Sequence, residues 1–188
     1  MGELTRTVDG REVPAPGEWV FEGGNSSLAF VVRHLVITKV RGHFRRFAGV
    51  VTVADRPEDS AVTVDIETAS VETGMAARDR DLRGRDFLDA EAHPLMTYRS
   101  TGVRPHGGHW LVDGDLTIGD ITRPVTLDVE FQGAAADGWG NRKAVFSAEA
   151  EFDREEWGVT YNQALETGGV LIGSKVKIEI EIQAKPKE

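Results

Sequence analysis

The sequence predicts an all-β fold of antiparallel strands with one short helix. Three observations carry the prediction. From Trp19 onward, apolar residues recur mostly with period two. Turn-forming residues interrupt those runs at short intervals, and one segment, Met75 to Gly84, lacks β-branched residues altogether. Period two sends alternate side chains to opposite faces of a strand, so each run has one buried and one wet face. Many such strands joined by short turns close as a sandwich or as a barrel.

Taken in chain order, residues 1–17 are polar and carry Pro14, Pro16 and Gly17, which reads as a flexible tail before one β domain over 18–186. Val62, Val64 and Ile66 alternate with Thr63, Asp65 and Glu67. Val125, Leu127, Val129 and Phe131 alternate with Thr126, Asp128 and Glu130. The last run sets Val176, Ile178, Ile180 and Ile182 against Lys175, Lys177, Glu179 and Glu181. Turns are expected at Asp55-Arg56-Pro57, Arg104-Pro105-His106-Gly107-Gly108, Asp113-Gly114 and Asp137-Gly138-Trp139-Gly140, the last as a hairpin end between two long strands. The Met75–Gly84 segment favours helix, with Thr73 as N-cap and Gly84 as the stop. Met75, Asp79 and Leu82 share one face of it, a thin stripe suited to lying over a barrel or its mouth.

The inner phases contain small residues. One runs Ala144, Phe146, Ala148, Ala150, Phe152; another includes Gly42, Phe44, Gly49 and Val51, with a bulge expected around Arg45-Arg46. Small inward residues leave room, and a barrel of about eight strands holds one small ligand. The competing reading is that these positions relieve crowding at strand bends.

Composition narrows the function. The chain has 188 residues, 40% hydrophobic and 28% charged, with a formal net charge of −9 and no cysteine. An acidic chain gains no counterion-release affinity from phosphates, so nucleic acid is not an expected partner. Disulfides, thiolate nucleophiles and cysteine-bound metals are excluded, and a reducing cytoplasm fits. No run approaches the roughly 20 apolar residues that span a bilayer, and the first residues lack the basic start and apolar stretch of a secretory leader. Cytoplasmic location without stable membrane insertion is therefore expected.

Reactive motifs are weak. Gly168 and Gly173 have phosphate-loop spacing, but Ser174-Lys175 reverses the order such a loop needs. His34, His43, His93, His106 and His109 form no His-Glu-x-x-His pair. Asp79, Asp81, Asp86, Asp89 and Glu91 are interleaved with Arg78, Arg80, Arg83 and Arg85, as on a salt-bridged surface. No serine sits in a nucleophile-elbow context. No enzyme activity, metal or cofactor is expected.

Several stretches together resemble the YceI-like family of lipocalin-like, polyisoprenoid-binding barrels. They are Leu28-Ala29-Phe30-Val31-Val32-Arg33-His34-Leu35, Val40-Arg41-Gly42-His43-Phe44, Phe47-Ala48-Gly49 and Ala69-Ser70-Val71-Glu72-Thr73. His93-Pro94-Leu95-Met96-Thr97-Tyr98 follows, then the long Gly114-Asp115-Leu116-Thr117-Ile118…Thr122-Arg123-Pro124-Val125, and finally Arg154 with Trp157-Gly158. The match runs from about Trp19 to Ile182; Asn25 stands where the family often has histidine. The resemblance implies an antiparallel lipocalin-like barrel of about eight strands, of a cytoplasmic branch. It also implies a non-catalytic carrier role for an isoprenoid lipid, either a polyprenyl chain or an isoprenoid quinone. Ligand contacts are then expected at Phe30, Val32, His34, Phe44, Phe47, Met96, Leu116, Ile118, Phe146, Phe152 and Trp157, with Leu82 and Phe87 gating the mouth. A polar head group would meet Arg33, His34 or Arg41. Some resembling proteins pair, so a homodimer is among the expected assemblies. A barrel enzyme acting on a lipid or quinone, and a ligand-free stress or interaction protein, are the alternatives.

Overall fold

The structure, a computed structural model, describes residues 2–188. Its strands are β1 (Thr5–Val8), β2 (Arg11–Pro14), β3 (Gly17–Phe21), β4 (Ser27–His34), β5 (Thr38–Phe44), β6 (Phe47–Val53), β7 (Ala61–Glu67) and β8 (Val71–Glu72). After helix α1 (Ala76–Arg83) come β9 (Leu95–His106), β10 (His109–Ile118), β11 (Ile121–Ala136), β12 (Arg142–Asp153) and β13 (Ile172–Pro186).

The sheet runs β12-β11-β10-β9-β7-β6-β3-β13, and β13 then pairs with β12 to close an eight-stranded antiparallel barrel. This closing ladder is continuous from Ala144↔Ala184 to Asp153↔Lys175. Closure removes the exposed edges that a sandwich would have to protect. Along its other side β13 pairs first with β4 and then with β3, so β3 and β4 act as one bent stave. β5 and β6 form another, bent at Arg45-Arg46 where the bulge is expected.

The period-two runs become the barrel's inner face. Ile178 lies between Ala150 on β12 and Phe30 on β4; Ile180 lies between Ala148 and Leu28. A fully buried aliphatic or aromatic side chain contributes roughly 1.5–3 kcal/mol, and register puts these residues on one face together. The Asp137–Asn141 turn joins β11 to β12 as expected, with Asp137 accepting from the Trp139 and Asn141 amides. Asp113-Gly114 is not a turn. It lies inside β10, where the β9 register shifts at a bulge.

The small inner residues fill space instead of leaving it. A Cβ on Gly42 would stand 2.2 Å from the Phe30 ring; on Gly49, 2.3 Å from Phe21; on Gly114, 2.4 Å from Tyr98. Each glycine is a seat for an aromatic ring on a neighbouring strand. Ala144 and Ala184 face one another, fully buried, in the cluster around Trp19.

Two local expectations are corrected. Within the expected tail, Thr5–Val8 and Arg11–Pro14 are paired strands. β1 and β2 form a hairpin whose turn, Asp9-Gly10, has positive φ at both positions (48° and 77°), as a tight two-residue hairpin turn requires. At α1 the N-cap is Met75, without a side-chain bond, and not Thr73. Asp79, expected on the surface, is buried; its carboxylate accepts from the Thr73 amide (2.8 Å) and hydroxyl (2.6 Å) and folds the preceding loop onto the first turn. The Gly84 amide closes the helix on the Asp81 carbonyl. Among the described residues no helix is long and apolar enough to cross a membrane.

Candidate ligand-binding site

The barrel has two unlike ends. One carries α1, the hairpin tip at residues 35–37 and the loop after β12. Here the interior is packed by Phe30, Phe44, Met96, Ile118 and Trp157, all buried. Phe30 and Phe44 meet at 5.6 Å and Phe152 and Trp157 edge-on at 4.8 Å. Trp157 Nε1 donates to the Leu116 carbonyl at 2.9 Å, so burying the indole strands no donor. Leu82 of α1 and the nearby Leu88 pack against this cluster from outside.

Buried polar groups at this end and in the wall are committed. Tyr98, seated over Gly114, lies within hydrogen-bond reach of the Val112 (3.1 Å) and Val125 (2.9 Å) carbonyls. Burial, then Asp113 and Asp115, push its hydroxyl well above the ordinary tyrosine range, so it stays a neutral donor. Arg154 is 5% exposed, and among the described residues it forms no ion pair. Its guanidinium donates to the carbonyls of Gly173 (2.9 Å), Val159 (2.7 Å), Tyr161 (3.0 Å) and Ile172 (3.4 Å). Burial pulls it below its ordinary value, while Glu155 and Asp153 oppose that shift. Arg154 thus clamps the 158–171 loop onto the start of β13.

At the opposite end, between β6, β7 and β9–β12, lies a partly open apolar cavity of about 90 Å³. Val51, Val62, Val112, Val129, Phe131 and Phe146 form its wall, Trp110 and Val103 its rim, and Val13 and Pro14 of β2 its roof. Its one hydroxyl is that of Ser60, whose oxygen accepts from the Ala54 amide. Deeper in, the inward-facing Val64, Leu127, Ile178 and Ile180 are half-buried, not buried. Phe47 and Ile180 touch both buried clusters, the larger of which reaches Val112 of the cavity wall.

Ten of the thirteen expected ligand contacts gather in one cluster, which is set apart from the cavity. Phe30, Phe44, Met96, Ile118 and Trp157 are core of the helix end, and Val32, Phe47, Leu82, Leu116 and Phe152 are half-buried against it. Phe87 packs on Tyr161 at 5.4 Å, outside that core. His34 is a half-buried residue at the end of β4. Only Phe146 lines the cavity. Arg33 is exposed, and Arg41 pairs with Glu179 at 2.6 Å, half exposed on the outer wall. The cavity residues not singled out from sequence were visible as inward phase in Val51, Val62, Val129 and Phe131. Which end of a stave each occupies depends on stagger, which periodicity does not carry.

The histidine–carboxylate contacts lie on the outer surface. His109 Nδ1 is 2.7 Å from Asp128 and Nε2 3.4 Å from Glu130; the Asp128 hydrogen bond raises the imidazole pKa above its ordinary value. No group of three or more His, Asp or Glu among the described residues is arranged to hold a metal.

A closed eight-stranded antiparallel barrel with an apolar interior and an apolar cavity at one end defines the class: a lipocalin-like barrel. The YceI-like domain model matches residues 19–184, and the chain belongs to that family. It is 36% identical over 164 residues to the UPF0312 protein SAB2563 of Staphylococcus aureus, covering 86% of this chain and 93% of that one. Burkholderia cenocepacia BcnA has the same fold, with a TM-score of 0.77 at 22% identity over 88% of this chain and 99% of its own. So does a polyisoprenoid binding domain from Saccharophagus degradans implicated in plant cell wall breakdown, with a TM-score of 0.66 at 12% identity over 92% of this chain and 100% of its own.

Proposed function

We propose that the chain is a non-catalytic carrier that shelters an isoprenoid lipid, a polyprenyl chain or an isoprenoid quinone, inside the barrel. The observation that carries this is the cavity lining, built mainly of valine, phenylalanine, tryptophan, proline and alanine, with one serine whose oxygen accepts from the Ala54 amide. Such a surface favours hydrocarbon over groups that need several hydrogen bonds. That a polyisoprenoid binding domain shares the fold supports the chain chemistry. The committed state of Tyr98, Trp157 and Arg154 supports a role without chemistry, because none is free to move a proton to or from a guest. The lack of cysteine fits a reducing compartment, and we assign the protein to the cytoplasm.

Each buried CH₂ contributes about 0.8 kcal/mol, so two or three isoprene units reach micromolar affinity after ordering costs. At about 90 Å³ the cavity falls short of the roughly 300–1,000 Å³ typical of ligand sites. Binding therefore enlarges it, by parting the half-buried belt below or the roof above. The test is native mass spectrometry of the protein from its own host, followed by organic extraction. One prenyl lipid per chain is expected, and Val129→Phe, which fills the cavity, should lose it while remaining folded. Repeated recovery of no lipid, with none taken up from added prenol, overturns the proposal.

A further inference from the structure

We propose that residues 2–16 are a hinged lid on the barrel and that ligand passes through this end, beneath the β1–β2 hairpin, and not under α1. The inference rests on the carrier reading and adds the portal and the moving part. The hairpin is a two-stranded sheet of its own, and among the described residues no backbone ladder joins it to the barrel. Isolated two-stranded hairpins are at best marginally stable in water, so this one keeps its shape by lying on something. It lies on the cavity: Val13 and Pro14 are buried and form its roof. The residues that match the family model begin at residue 19, after the hairpin.

The fastening is light. Arg6 donates to the Ala54 carbonyl at 2.6 Å, and Arg11 to the Gly107 carbonyl at 3.2 Å with its guanidinium 5.8 Å from the Trp110 ring centre. Arg142, at the base of the β11–β12 hairpin, donates to the Gly2 carbonyl at 2.8 Å. These three arginine straps reach three separate parts of the rim, and each ends on a neutral carbonyl. Among the described residues Arg6 Nε, unlike its terminal nitrogen, meets no partner. The joint is also defined. Trp19 Nε1 holds the Ala15 carbonyl at 3.0 Å, and Gly17, at φ +136°, links that pivot to β3 in a conformation that favours glycine.

The other end is built to stay shut. Trp157 and Phe152 plug it, Arg154 clamps its loop through four carbonyls, and Asp79 ties α1 to Thr73. A guest passing there would break a buried cation's whole hydrogen-bond set. Passing under the hairpin breaks three arginine straps, lifts Val13 and Pro14 from the cavity and slides Leu4 off the Trp19 cluster, while Ala15 stays at the pivot.

The absence of native cysteine makes the test selective. Arg11→Cys with His106→Cys places one thiol on the lid and one on the rim, to be joined by a reductively cleavable bismaleimide. Uptake of a dansyl-labelled farnesyl probe is followed by stopped flow. The linked form should take up the probe at least roughly tenfold more slowly than the unlinked one, with the rate restored on cleavage. The Arg6→Ala, Arg11→Ala double variant, with no linker, should take it up faster than the native chain. Equal rates for linked and unlinked forms, with uptake intact, overturn the lid and leave the carrier reading standing. If the native chain takes up no probe at all, the carrier reading falls and the lid with it.

Discussion

The two ends of the barrel are made from the same alternating strands and behave as opposites. At the helix end, aromatic rings fill the bore and every buried polar group is bonded. At the hairpin end the same inner phase is carried mainly by valines, and their shorter side chains stop short of one another. Side-chain size on one phase, together with what is laid across the rim, separates a plug from a pocket. The comparison also explains why α1 is a poor gate: it is anchored by Asp79 and its Leu82 packs on the filled core, whereas the hairpin rests on the cavity it covers.

The sharpest way to break this contrast is to remove one tryptophan from each end. Trp157→Ala deletes a buried ring, its edge contact with Phe152 and the bond to Leu116. It should cost about 3–5 kcal/mol, the range for large aromatic deletions in cores. Trp110→Ala removes a half-buried rim residue beside space that already exists, and should cost roughly 1–2 kcal/mol. Urea melts of both variants decide it. Equal losses would mean that the two ends are equally packed.

A smaller effect tests the ring seats. Gly42→Ala forces a methyl into the Phe30 ring, so the neighbour must move; about 1–3 kcal/mol of destabilisation is expected from overpacking. Combining it with Phe30→Leu should recover part of that loss, because the clash is with one flexible partner. Failure of the double variant to recover any would show that Gly42 is needed for its backbone and not as a seat.

These seats mark the limit of what the sequence discloses. The staves over 62–66, 125–131 and 176–182 are legible because one polar face forces strict alternation. The helix is legible because 76–83 has no β-branched residue, and the bend at Arg45-Arg46 because two charges interrupt an inner phase. The partnership of Phe30 with Gly42 is not legible, since it exists only once β4 and β5 are in register. That is why glycine and alanine on an inner face suggested emptiness where the structure has rings. The N-terminal hairpin was hidden by polarity: Thr5-Arg6-Thr7-Val8 buries little, and its roof residues are only Val13 and Pro14. Asp9-Gly10 between two short β-prone runs was the local signal that could have revealed it. The cavity is the least legible feature, because Val62 and Phe152 share a phase yet sit at opposite ends.

The last contrast is between the inside and the outside of the hairpin end, and its effect is the smallest. His109 and Trp110 are neighbours on β10: Trp110 lines the cavity, while His109 faces Asp128 and Glu130 on the outer wall. Asp128, first through its hydrogen bond and then through charge, raises the imidazole above its ordinary value of 6.5, with burial opposing. The folded state therefore holds this proton more tightly than the unfolded chain does. The resulting stabilisation is full below the unfolded value and is lost as pH rises through the higher folded one. Asp128→Asn should bring the His109 titration back toward 6.5 and flatten stability over that window. Both follow from NMR titration and melts across pH. Because the pair lies outside the wall, filling the barrel with a prenyl probe should leave the His109 titration where it was. A ligand-induced shift there would place the guest on the outer surface instead, and the inner wall would lose its claim to be the site.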